Sequence, residues 1–144
     1  MSARVIALCV SERKGTKKHP VPTAVFLPDF GIGGDAHAGK WHRQVSLLAN
    51  ESVDTMRAMM PTLAPGDFAE NVLTEGVDLK HLPVGTRLTL GEVELEITQI
   101  GKECHADCEI RRITGRCVMP TDGVFARVLS GGVVSVGDPI MILN

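Results

Sequence analysis

The stretch TRLTLGEVELEITQI, residues 86–100, constrains the fold of this chain most, because Val93, Leu95 and Ile97 alternate with Glu92, Glu94, Glu96 and Thr98. Side chains of an extended strand point alternately to its two faces, so this spacing predicts a hairpin with one buried face and one wet face. Other segments carry strand signals too. Residues 4–10 read as a first strand, VPTAVFLPDF as a second ended by Pro28, and QVSLLA as a short apolar strand. GVFARVLSGGVVSVGDPIMIL supplies two more, turned at Gly131 and Gly132.

Helical signals are few. Asn50 is placed to cap a helix ESVDTMRAMM, with Val53, Met56 and Met60 on one face and Pro61 as its end. PGDFAENVLTEG reads as a turn followed by a strand around Asn71 to Leu73, and GKECHADCEIRRITGRC holds one short helix. Seven or eight short strands, about two helices and many Gly or Pro turns predict a mainly β chain, a barrel or a sandwich. Apolar residues make up 44% of the chain but only five are aromatic, so branched aliphatics must fill the core. The length of 144 residues predicts a single domain over 1–144.

Composition also limits function. The formal charge of −2, from 15 basic and 17 acidic residues, supplies no global positive field, so nucleic acid is not expected as a partner. The start, MSARVIALCVSERKGTKKHP, places its positive charges after a short apolar stretch, where a secretory signal has them before it. No run approaches a membrane span. The expectation is a soluble, cytoplasmic protein whose four cysteines remain thiols. Cys104, Cys108 and Cys117 fall within fourteen residues, a clustering that points to reactivity or metal.

GDAHAGK, residues 34–40, matches the glycine and lysine spacing of a phosphate loop, but Trp41 replaces the Mg²⁺-binding hydroxyl and a strand follows where a helix is required. The GxGG at 31–34 lacks a surrounding βαβ unit. GIGGDAHAG, with four glycines in nine residues, therefore reads as a shaped loop, either a surface turn or an anion site.

Cys104 offers more. It follows the strongest strand signal and has Lys102, His105, Arg111 and Arg112 nearby, cations that favour a thiolate suited to sulfur transfer or metal coordination. The plainer alternative is a small buried residue. A structural zinc site from Cys104, His105, Cys108 and Cys117 is a third reading, opposed by the adjacency of Cys104 and His105. His37, His42, Asp35, Arg43, Glu70 and Asn71 add loop groups capable of fixing a polar ligand. Arg13, Lys14, Lys17 and Lys18 read by themselves as an exposed charge run.

Taken together and in order, SERKG, GIGGDAHAGKWHRQVSLL, PGDFAENVLTEG, LPVGTRLTLGEVELEITQIGKECH and GVFARVLSGGVVSVGDPI resemble the MOSC family, the C-terminal module of molybdenum cofactor sulfurases, and especially its short bacterial stand-alone members. The resemblance spans about Val5 to Leu143. It implies a closed, distorted β-barrel of the pyruvate-kinase β-barrel type with a few short helices and a pocket bearing a characteristic cysteine. The residue so placed here is Cys104, which implies a metal ligand or sulfur carrier, with Cys117 and then Cys108 as fallbacks. In sulfurases a separate pyridoxal-phosphate domain mobilises the sulfur, and nothing in these 144 residues resembles one, so no complete cysteine desulfurase is expected. The resemblance further implies a molybdenum–pterin cofactor, with biosynthetic or recipient enzymes of that cofactor as partners. Arg13, Lys14, Arg43 and Arg127 would hold its phosphate and His37 and Asn71 would orient the pterin. Gly34, Asp35 and Glu70 complete the expected cofactor-binding set. A non-catalytic delivery module is the alternative from another class.

Overall fold

A computed structural model describes residues 3–14, 16–102, 109–114 and 117–143, with Glu109 as backbone alone. In chain order its elements are β1 (Arg4–Val10), β2 (His19–Val21), β3 (Thr23–Leu27), β4 (Gly31–Ile32), β5 (Val45–Ala49), α1 (Asn50–Arg57) and β6 (Val72–Glu75). They continue through a 3-10 turn at Leu79–His81, β7 (Arg87–Leu90), β8 (Val93–Ile100), α2 (Glu109–Thr114), α3 (Met119–Asp122), β9 (Val124–Ser130), β10 (Gly132–Ser135) and β11 (Ile140–Leu143). The chain is mainly β with a few short helices.

The β7 and β8 hairpin forms with the register that its alternation demands, Leu88 opposite Leu95 and Leu90 opposite Val93. Val93, Leu95 and Ile97 are fully buried, while Glu94 and Glu96 stay partly wet. Strand β5 behaves differently. All five of its residues are buried, because Val45 and Leu47 enter the main core while Leu48 enters a second cluster with Val53, Met56, Ile110 and Met119 under the helices. A strand covered on both faces loses its alternation, which is why QVSLLA reads as a continuous apolar run.

Eight strands form one sheet in the order β11, β7, β8, β9, β5, β6, β1, β2, and three form another, β10, β3, β4. The parallel pairing of β5 with β6 is made by the α1 crossover. Among the described residues neither sheet is closed on itself, so the mainly β architecture is met while the closure expected from the resemblance is not confirmed. The start of β1 and the segment leading into β11 do come together. Arg4 bridges Pro139, Val5 N donates to Asp138 O at 2.9 Å, and Gly137 N donates to Val5 O at 2.7 Å.

Several local expectations need correction. The glycine loop contains the two-residue strand β4, held to Phe26 and Leu27 of β3. Asn50 lies inside α1 and Ala49 occupies the cap position without a side-chain bond. The Asn50 side-chain Oδ1 instead accepts from Arg57 Nη1 at 2.9 Å. That helix ends at Arg57, before Pro61. Residues 124–143 supply three strands, and Gly131 passes the chain from β9 in the large sheet to β10 in the small one.

Candidate functional site

Several elements converge on one small hollow of about 70 Å³, lined among the described residues by His37, Arg43, Ser46, Ala69, Lys102, Met119 and Phe125. Strands β5 and β9 supply Ser46 and Phe125, α3 supplies Met119, and the glycine loop with its exit supplies His37 and Arg43. Lys102 arrives from β8 through Gly101. That glycine has φ +72°, donates to Gly123 O at 2.6 Å, and would place a Cβ 2.2 Å from Pro120 O, so no other residue fits the turn.

A bulge in the β8 and β9 ladder between Ile97 and Gln99 re-aims the end of the strand. Gln99 Oε1 then accepts from Arg43 Nε at 3.1 Å and lies 2.8 Å from His42 Nε2, and Gln99 Nε2 donates to Gly101 O at 2.8 Å. The Arg43 guanidinium also sits 5.2 Å from the Phe125 ring centroid, over the ring, in a cation–π contact.

Behind the hollow lies a polar cluster. Lys18 and Asp35 form an ion pair at 2.7 Å with both side chains fully buried, which corrects the reading of Lys18 as part of an exposed run. Ser11 N donates to Asp35 Oδ1 and His37 N to Asp35 Oδ2, each at 3.1 Å, and Lys18 Nζ lies 3.1 Å from His37 Nδ1. Burial pushes the Asp35 carboxyl up, but the hydrogen bond and charge of Lys18 outweigh it and hold Asp35 below its ordinary range. Burial first, and then the Lys18 ammonium, hold His37 below its ordinary 6.5, against the opposing charge of Asp35.

Gly66 anchors this lysine. Its carbonyl accepts from Lys18 N at 2.9 Å, and with φ +90° it presses so close that a Cβ would stand 2.0 Å from Lys18 O.

The expected site residues divide. Asp35, His37 and Arg43 gather at the hollow, and Lys14 approaches through Trp41, whose ring lies 5.1 Å from Lys14 Nζ and whose Nε1 donates to His37 O at 2.8 Å. Arg13 is exposed on the adjoining loop, and Gly34 is exposed with φ +84°. Glu70 and Asn71 are buried and bonded within the protein. Glu70 accepts from Gly66 N and Phe68 N at 2.9 and 3.1 Å, and burial pushes its carboxyl above the ordinary range despite those bonds. Asn71 Oδ1 accepts from Ser46 N while its Nδ2 donates to Cys9 O, each at 3.0 Å. Arg127 pairs with Glu96 at 2.6 Å and borders a separate open recess with Asp29, Lys40, Trp41 and His42.

Cys104, His105 and Cys108 lie outside the described residues. Cys117 is half-buried against the second core cluster. Cys9 is buried, and burial together with the charge of Glu70 pushes its thiol up to about 12, so it carries no thiolate chemistry at neutral pH. Among the described residues no group of three or more His, Cys, Asp or Glu is arranged to hold a metal, and no helix is long and apolar enough to cross a membrane.

A larger recess of about 340 Å³ between α1, residues 76–80 and α3 carries Glu51, Asp78 and Asp122 beside Lys80. Three carboxylates make it unsuited to an anion, and Asp122 is already engaged, lying 3.5 Å from Lys80. The smaller hollow has no carboxylate in its described lining.

Lys18, Ser46, Gln99 and Phe125 are the contributors that sequence reasoning missed. Nothing near Lys18 in the chain separates it from its exposed neighbours, because what buries it, the turn at Gly66, is remote. For Gln99 a signal existed, since it sits where the alternation of β8 breaks off.

Comparison with known proteins agrees with this architecture. The YuaD protein from Bacillus subtilis has a crystal structure similar at TM-score 0.81 and 20% identity, covering 99% of this chain and 96% of that one. YiiM from Geobacillus stearothermophilus is similar at TM-score 0.74 and 16% identity over 99% and 75%. YiiM from Escherichia coli is similar at 0.69 and 19% over 100% and 70%. At these identities the likeness is one of fold. No curated protein matches the sequence. The MOSC domain family matches residues 34–141, most of the 144, and the chain therefore belongs to the MOSC domain family.

Proposed function

We propose that the protein binds a molybdenum–pterin cofactor or a precursor of it, with the oxyanion end of that ligand in the hollow of His37, Arg43 and Lys102. The observation that carries this reading is the donor set. Two cations and an imidazole line a space with no carboxylate in its described lining, while the Ser46 hydroxyl beside them is engaged with Asn71, and the chain leaves that space at Lys102, two residues before Cys104. A planar guanidinium held by Phe125 and Gln99 is pre-organised for a bidentate contact with a phosphate or metal-oxo group. Size supports the same assignment. About 70 Å³ suits a compact oxyanion, since one water takes roughly 30 Å³, whereas cofactor-sized ligands need roughly 300 Å³ or more. The heterocycle therefore extends beyond the described walls, toward Trp41 and Lys14.

Bound there, the cofactor would supply a molybdenum centre able to take a thiolate ligand. Cys104 is the proposed ligand or carrier. As a carrier, its thiolate attacks the outer sulfur of a persulfide on a donor protein, one S–S bond forming as another breaks and the donor thiolate leaving, with no oxidant consumed. The companion reading, a delivery module without covalent chemistry, uses the same hollow and leaves Cys104 unreactive. We also read the large sheet as a distorted barrel, supported by the contacts of Val5 with residues 137–138.

Cofactor loading of the wild-type chain, Cys104→Ala and Arg43→Ala tests the binding site. Loss of retention in both variants is expected, and equal retention in all three contradicts the reading. Iodoacetamide separates carrier from module, because a carrier thiol must react at pH 7 faster than a thiol of pKa about 8.5.

A further inference from the structure

The buried cluster behind the hollow has a fixed direction of hydrogen bonding. Lys18 Nζ lies 2.7 Å from Asp35 Oδ1, 3.0 Å from Ser11 Oγ and 3.1 Å from His37 Nδ1. An ammonium has three N–H donors and no acceptor, so these contacts use all of them and His37 Nδ1 has to accept. Ser11 is free to accept as well, since its own hydrogen goes to Arg13 O at 3.0 Å. A neutral imidazole that accepts at Nδ1 carries its hydrogen at Nε2. The backbone of His37 is held from both sides, its N–H by Asp35 Oδ2 and its carbonyl by Trp41 Nε1.

Resting on the oxyanion reading above, we infer that Lys18 is a positioning residue that locks His37 in its Nε2–H tautomer, so that the hollow offers the oxyanion a neutral, directed donor. A second proton on the ring would point at the Lys18 ammonium, donor against donor. Of the charged groups acting on the ring, Lys18, Lys102 and Lys14 oppose the imidazolium and Asp35 alone favours it. Arg43 lines the same hollow and adds positive charge. The anion's charge is thus met by Arg43 and Lys102, and its orientation by the Nε2–H of His37.

The test is long-range ¹H–¹⁵N NMR on the full chain with ring-labelled histidine, without ligand at pH 7.5, the His37 signals being identified by their loss in His37→Gln. The wild type is expected to show a protonated Nε2 and a bare Nδ1. Lys18→Met should give a mixture of tautomers and bind inorganic phosphate, the probe anion, roughly tenfold more weakly. A protonated Nδ1 or a tautomer mixture in the wild type overturns the inference, and so does an unchanged single tautomer in folded Lys18→Met. Should Lys18→Met not fold, the wild-type spectrum decides alone. Phosphate binding is read separately, so a wild type with the expected tautomer that ignores phosphate refutes the oxyanion reading and not the lock.

Discussion

Replacing Asp35 with asparagine keeps the shape of the side chain and removes its charge, leaving the Lys18 ammonium fully buried without a counter-ion. The substitution also turns an amide donor toward one of the N–H groups of Ser11 and His37 that Asp35 now accepts. Breaking a buried pair from one side costs about 3–5 kcal/mol, because the remaining charge cannot reach water. With a urea m-value of about 2 kcal/mol/M, Asp35→Asn should lower the midpoint of unfolding by about 1.5–2.5 M. The exposed pair of Arg4 and Glu75, 2.8 Å apart, is the control, and Glu75→Gln should cost about 0.5 kcal/mol. The double variant Lys18→Met with Asp35→Leu should recover much of the loss, since both charges are then gone. Equilibrium unfolding followed by circular dichroism reads all of these. An Asp35→Asn midpoint within about 0.5 M of the wild type would refute the burial of this pair.

The same pair sets a pH dependence. The folded pKa of Asp35 is depressed, so its contribution is present above the ordinary aspartate value of about 3.9 and is lost as pH falls through the folded value. Unfolding curves between pH 7 and pH 3 should be flatter for Asp35→Asn than for the wild type. Glu70 acts in the opposite sense. Its folded pKa is raised, so its contribution is present in acid and lost as pH rises through the folded value. Leu95→Ala, at a fully buried position facing Leu88, should cost about 2–5 kcal/mol by chemical denaturation, and a cost under 1 kcal/mol would contradict the β7 and β8 register. Gly66→Ala combines a left-handed backbone with a contact to Lys18 O and should cost about 2–4 kcal/mol, to be read in the same assay. In the folded protein Cys9 should resist iodoacetamide and label only after unfolding, as mass spectrometry of its peptide will show.

Much of the fold was legible because burial on one face writes itself as a period of two. Glu92 to Ile97 display that period, and the hairpin forms where the alternation says. Segments whose partners are remote hid more. Gly31 and Ile32 pair with β3 although four glycines in nine residues argue against regular structure there, because pairing only two residues asks little of local propensity. Asn50 is a favoured cap residue that the tertiary fold places one position inside the helix. The site follows the same division. Asp35, His37 and Arg43 were identifiable as polar loop residues, whereas Glu70 and Asn71, equally polar, are consumed in holding the loop 64–71 and strand β5 together. Lys18 was hidden by its neighbours, since three other cations in the same stretch are exposed. No local pattern announces that a lysine will pair with an aspartate seventeen residues on.

Analysis of molybdenum, zinc and pterin in the chain isolated from its native cells bears most directly on the claim that the hollow beside Lys102 serves a molybdenum–pterin ligand. Molybdenum and pterin present together with the wild type, and both lost from Arg43→Ala, are the expected result. One zinc per chain with no pterin would contradict it and return the cysteine cluster to a structural role.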